Sequence, residues 1–171
     1  MIKMDCSLTD EKWASRAIHE AQKSPLAMKH GCIAVSSGKL LAFGHNTYKT
    51  YSRDGYVRNV CSCHAEINVL RQFLKRRINK VTLYIVRVSN DGQMKDSSPC
   101  ANCFYLMRQF PIKHIVYTTN NGLYKCKLND YVSNFISSGN NAIIERRASD
   151  INLYLNTHIY LNKKQKTKYN S

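Results

Sequence analysis

Proline and glycine are scarce, three and seven of 171 residues, and neither an internal repeat nor an interior linker divides the chain. Its length allows one domain with a real hydrophobic core and excludes two ordinary ones. No stretch approaches the ~18 consecutive apolar residues that span a bilayer. Met1 to Cys6 lacks the apolar core of a signal peptide, so a soluble cytoplasmic protein with no membrane partner is expected. Cysteines number seven, an odd count, and Cys6, Cys32 and Cys126 stand singly. That argues against a disulfide framework and for reduced thiols plus a metal. Acidic residues are few, 11 against 26 Lys and Arg, leaving a formal charge of +15. Such a charge suits an anionic partner, nucleotide phosphate or polynucleotide. It equally suits solvated lysines, because the basic residues are spread along the chain and not gathered into one stripe.

What is present is a regular alternation of elements. Trp13, Ala14, Ala17, Ile18 and Ala21 recur at helical spacing behind Thr9, Asp10 and Glu11, a capping side chain followed by first-turn acids. A helix from about 10 to 23 follows. Residues 31–46 form a hairpin turning at Ser36-Ser37-Gly38-Lys39. Ile67, Val69, Leu70 and Phe73 mark a helix to about Arg77. Val81 to Val88, rich in β-branched residues, is a strand, and a loop with Asp91-Gly92 leads to a helix over 100–109 that stops near Pro111. Ile115 to Thr118 is a further strand, then a turn at Asn120-Asn121-Gly122, a strand over 123–128 and a short helix over 130–136. The order reads as α/β, a single sheet sandwiched by helices. Residues 1–160 are expected to form this domain, and 161–171 a basic disordered tail.

The chemistry lies in two short motifs. Cys63-His64-Ala65-Glu66 opens one helix, and Pro99-Cys100-Ala101-Asn102-Cys103 opens the next. Cys100 and Cys103, three apart at a helix start, present their sulfurs on nearly one face, and the helix N-terminus favours thiolates. With His64 they make three zinc ligands and leave a position for water, as in catalytic sites. Cys-x-x-Cys alone occurs in zinc knuckles and redox pairs, and His-Ala-Glu alone says little. The conjunction, in this order and with a strand between the helices, is specific.

The H-x-E…P-C-x-x-C pattern resembles the cytidine/deoxycytidylate deaminase superfamily over residues 8–120, closest to the deoxycytidylate deaminase type. The resemblance implies a cytidine deaminase-like three-layer α/β/α fold around one mixed five-stranded sheet. It also implies one catalytic Zn²⁺ on His64, Cys100 and Cys103, with Glu66 moving the proton between water and base. Asn46 matches the Gly-x-Asn of deoxycytidylate and tRNA adenosine deaminases, where the amide contacts sugar or base. Ala65, Ser98 and Pro99 complete the expected substrate contacts, and a homo-oligomer is the default. Cys61 and Cys63 lack a clear partner set for a second metal.

Cys63 through Asn68, and a basic loop carrying Lys49, Arg53 and Arg58 that could hold a phosphate, favour a cytosine nucleotide. The expected reaction is dCMP to dUMP plus ammonia. Thr47-Tyr48 after Asn46, and Lys95 to Ser98 before Pro99, depart from the usual deoxycytidylate deaminase pattern. The alternative is a deaminase that edits tRNA or another single strand, with Tyr48, Tyr51 and Tyr56 stacking on flanking bases.

Overall fold

The computed structural model describes residues 4–58, 60–74 and 78–145. The expected tail at 161–171 lies outside them. The first helix, α1 (Leu8–Gln22), starts ahead of the sequence expectation because Ser7, not Thr9, is its cap. The Asp10 N–H donates to the Ser7 hydroxyl at 3.2 Å and the Ser7 N–H donates to the Asp10 carboxylate at 2.9 Å. A reciprocal pair of this kind needs an acid three residues after the cap, which Ser7 has in Asp10. Buried Asp10 also accepts from Tyr84 Oη at 2.8 Å and from Lys125 Nζ at 2.9 Å. Burial would raise its carboxyl, but the bonds from Lys125, Ser7 and Tyr84 overcome that and hold it at about 2.

Next come β1 (Lys29–Ser36) and β2 (Lys39–His45). They turn through Ser37 and Gly38 at φ 49° and 73°, the left-handed pair that a tight hairpin requires. After a long loop, α2 (Ala65–Leu70) runs into a 3-10 turn at Arg71–Phe73. Then follow β3 (Val81–Val88), β4 (Met94–Lys95), α3 (Ala101–Met107), β5 (Ile112–Thr119) and β6 (Gly122–Lys127). A 3-10 turn at Leu128–Asp130 and α4 (Ser138–Ile144) end the described chain.

The strand order β2-β1-β3-β5-β6 is the expected five-stranded mixed sheet: β3 and β5 are parallel and the other neighbours antiparallel. Two-residue β4 adds a sixth strand on β3, beyond what a period-2 pattern can signal. One face packs Ile33, Val35, Tyr84, Val86 and Val116 under Ala14, Ala17 and Ala21 of α1. The approach is close: a Cβ on Gly31 would lie 2.1 Å from the Ala17 carbonyl oxygen. The other face packs Cys32, Leu83, Ile85, Ile115 and Tyr117 against α2 and α3.

The helix expected over 130–136 is absent. Residues 131–137 form no helix or strand, with Tyr131 and Ser137 in extended conformation, and the helix starts at Ser138, capped by Ser137. The segment is held from outside, by the Tyr131 hydroxyl on the Pro99 carbonyl at 2.8 Å and the Ala101 N–H on the Phe135 carbonyl at 2.8 Å. Tertiary bonds override a weak local preference. Among the described residues no helix is long and apolar enough to cross a membrane.

The Asp10 cluster can be tested by pH. Its carboxyl lies below the unfolded value, so its contribution is present above about pH 4 and is lost as pH falls toward 2. Asp10→Asn is expected to cost about 2 kcal/mol at pH 7. In urea titrations at a series of pH values, the gap to wild type should narrow below about pH 4. A gap independent of pH would contradict the assignment.

Candidate active site

Two helix starts meet at one point. His64 is the N-cap of α2 and Cys100 the N-cap of α3, both in extended conformation and neither capping with its own side chain. Their side chains are therefore free of the helix and turn toward each other. His64 Nδ1 lies 3.2 Å from Cys103 Sγ and 3.5 Å from Cys100 Sγ. The three donor atoms all lie within 4.8 Å of one another, and among the described residues no other such group of His, Cys, Asp or Glu occurs.

The spacing fits zinc. Zn–N bonds of ~2.0–2.1 Å and Zn–S bonds of ~2.3 Å at a tetrahedral angle put N and S about 3.5 Å apart. Two thiols and an imidazole are donors that suit zinc over the hard cations. Three protein donors leave the fourth corner of the tetrahedron to a small molecule. The cluster already concentrates negative charge. Cys100 is held down to about 4 by the hydrogen bond from Cys103, against burial, and further by His64. Cys103 is pushed well up by that same bond and by burial. Burial pulls His64 down, yet Cys100 and the charge of Glu66 hold it up at about 9.

Glu66, in the first turn of α2, is 5% exposed. Burial raises its carboxyl, while the charge of His64 and a hydrogen bond from Cys103 pull the other way. The acid therefore sits against the three donor residues but is not one of them. Beneath it, Cys32 on β1 senses its charge.

Both motifs are held by backbone pairing. Thr47 and Cys63 exchange N–H bonds at 3.0 and 2.9 Å, which sets His64 beside the end of β2. Asn68 Nδ2 donates to the His45 carbonyl at 3.1 Å and ties α2 to that strand. On the other side, Ser97 and Thr118, both buried, lock the approach to Cys100. The Ser97 hydroxyl donates to the Ile85 carbonyl at 2.8 Å and accepts from the Thr118 N–H at 2.9 Å. Neither this pair nor Tyr131 was identified from sequence. A Ser and a Thr in strand-like surroundings carry no signal until the fold opposes them.

The expected substrate contacts are brought to the same region, each with an intramolecular role. Asn46 is buried; its Oδ1 accepts from the His30 N–H at 2.8 Å and its Nδ2 donates to the Met28 carbonyl at 2.7 Å. One N–H and one lone pair of the amide are left over. Ala65 is fully buried at the first position of α2. Ser98 gives its N–H and hydroxyl to Asp96, and the Pro99 carbonyl is taken by Tyr131. In the basic loop, the charge of Lys49 reaches Cys63, while Arg58 lies over the Tyr51 ring at 6.0 Å. Cys61 donates to the Gly139 carbonyl and Cys63 to the His64 carbonyl, each at 3.5 Å, so the two thiols do not share a partner.

A buried metal-type cluster with an adjacent buried acid defines a hydrolytic metal site as the class. The family model for the cytidine and deoxycytidylate deaminase zinc-binding region matches residues 7–119. The chain belongs to this family and is an enzyme of the zinc-dependent hydrolytic deaminase type. Cytidine deaminase from Burkholderia pseudomallei shares the fold, with a TM-score of 0.52 and 15% identity over 74% of this chain and 98% of that one. The dCMP deaminase of cyanophage S-TIM5 aligns over 67% of this chain and 86% of its own in apo form, at 26% identity and a TM-score of 0.49. The same phage enzyme in complex with dCMP and dUMP aligns at 24% identity, covering 67% and 83%, with a TM-score of 0.48. No protein of curated function matches the chain.

Ser97→Ala should strand the buried Thr118 N–H and Ile85 carbonyl at a cost of about 1–3 kcal/mol. It should also speed zinc loss to a chelator, because the segment ends at Cys100. Thermal unfolding and a chelator-competition time course read the two effects. Unchanged zinc retention would separate Ser97 from the site.

Proposed function

We propose that the protein hydrolyses the exocyclic amine of a cytosine nucleotide, with dCMP as the preferred substrate, giving dUMP and ammonia. The observation that carries the reading is the convergence of His64, Cys100 and Cys103 with buried Glu66 beside them. Zinc held there would act as a Lewis acid that brings the pKa of water toward ~7. Glu66 would take a first proton from water and give it to the ring nitrogen as oxygen adds to the amine-bearing carbon, then take a second from the hydroxyl on that carbon and give it to the amine as the C–N bond breaks. Its raised pKa suits both halves of that task, since the proton it gains must later be released. Ala65, with no side chain beyond Cβ, leaves room for the ring next to Glu66. Cys63 through Asn68 support the deoxycytidylate type within the family.

A single-stranded nucleic acid is the second reading. Tyr48 and Tyr51 stand 66% and 57% exposed on the loop before Cys63, where bases flanking a target could stack, and the charge of +15 suits a polyanion.

Zinc-loaded protein is assayed for ammonia with dCMP, CMP, deoxycytidine, cytidine, adenosine, guanine and a tRNA pool. Turnover of dCMP above the others is expected, and conversion confined to RNA would overturn the nucleotide reading. Glu66→Gln should reduce kcat by about 10²–10⁴-fold with zinc content unchanged. Full activity in that variant would remove Glu66 from the chemistry.

A further inference from the structure

On the sheet face that carries the cluster, three basic side chains stand in a row across neighbouring strands. His30 on β1 is the direct partner of Arg87 on β3, and Arg87 is the direct partner of Lys95 on β4. Directly opposed residues share a face. Alternation identifies it: Cys32, Leu83 and Ile85 lie in the core cluster with Ala65, Cys100 and Cys103, whereas Tyr84, Val86 and Val88 lie under α1. The row stands one pleat repeat, about 6.7 Å, beyond the Cys32–Ile85 pair that backs Glu66. Row and cluster thus lie on one face of the sheet, and His30 feels the charges of His64, Arg87 and Cys100.

All three are half-buried, and among the described residues Arg87 has no carboxylate partner. The four ion pairs among the described residues engage Lys23, His45, Arg71 and Lys125. Asp96, the acid next to Lys95, is occupied by Ser98. The backbone of the row is fixed: the Arg87 N–H donates to Thr118 Oγ1 at 3.2 Å, and that hydroxyl donates to the Lys95 carbonyl at 2.6 Å. A half-buried guanidinium with no carboxylate among the described residues, on the sheet face that carries the cluster, suits an anion.

We propose that this row, centred on Arg87, is the subsite for the 5′-phosphate of the nucleotide substrate. The proposal rests on the nucleotide reading above and gives the phosphate a seat on the sheet instead of the Lys49–Arg58 loop. The guanidinium offers two parallel N–H donors to phosphate oxygens, and Lys95 adds charge at the outer edge. Burial, with the charges of His64 and Arg87, holds His30 down to about 4. His30 therefore shapes the subsite as a neutral ring, with Nδ1 3.3 Å from the Met28 carbonyl oxygen. One pleat repeat is the scale of the sugar that separates a nucleobase from its 5′-phosphate.

The test compares dCMP with deoxycytidine, which lacks the phosphate, in wild type, Arg87→Ala, Arg87→Lys and Lys95→Gln, each checked for zinc content and thermal unfolding. The kcat/KM ratio of dCMP to deoxycytidine should fall about 10- to 100-fold in Arg87→Ala. Smaller falls are expected in Arg87→Lys and Lys95→Gln, with the loss carried by KM. Calorimetric binding of inorganic phosphate to wild type and Arg87→Ala gives a readout independent of turnover, and the variant should bind at least tenfold more weakly. Equal losses on both substrates, or unchanged phosphate binding, would overturn the subsite. Arg87-dependent phosphate binding in a protein that deaminates only an oligonucleotide would overturn the mononucleotide as the source of the phosphate.

Discussion

Two helix N-termini from distant parts of the chain must arrive at one point, and the rest of the molecule serves that convergence. His64 and Cys100 are both N-cap residues whose side chains make no capping bond, so each helix start gives up a local stabilisation to present a ligand. What holds the two starts together is the parallel pairing of β3 with β5, which brings α3 back beside α2 beneath one sheet face. The sheet then seals the cluster from below with Cys32, Leu83 and Ile85.

Burial does the chemical tuning. Glu66 and Cys32 lie where charge is poorly solvated and are shifted toward their protonated forms, and Cys103 is shifted the same way by its hydrogen bond to Cys100 and by burial. Only Cys100 goes the other way, because Cys103 and His64 both donate to it. Without a metal, negative charge is thus focused on one sulfur; a metal held there would take both sulfurs as thiolates.

Much of this was legible in the sequence because it is written in short-range patterns. The ligand motifs, the strand at 81–88, the hairpin at Ser37-Gly38 and the α1 apolar stripe each depend on residues a few positions apart. The features that were not legible depend on residues brought together from afar. The Ser97–Thr118 lock joins a loop to β3 and β5, and the irregular run after Tyr131 is held by Pro99 and Ala101. Asp10 selects Ser7 as cap while also binding Tyr84 and Lys125. The row escaped because His30, Arg87 and Lys95 become neighbours only through strand register. Along the chain they look like one of six histidines and two of 26 lysines and arginines, far apart.

The account stands or falls on the ligand set of one metal ion. Zinc K-edge X-ray absorption on stoichiometrically loaded protein, with the metal content measured in parallel, reads that set directly. The account predicts one zinc per chain with two sulfur neighbours at ~2.3 Å and two light-atom neighbours at ~2.0–2.1 Å. A third or fourth sulfur would mean that another cysteine closes the site, and the hydrolytic reading would be contradicted.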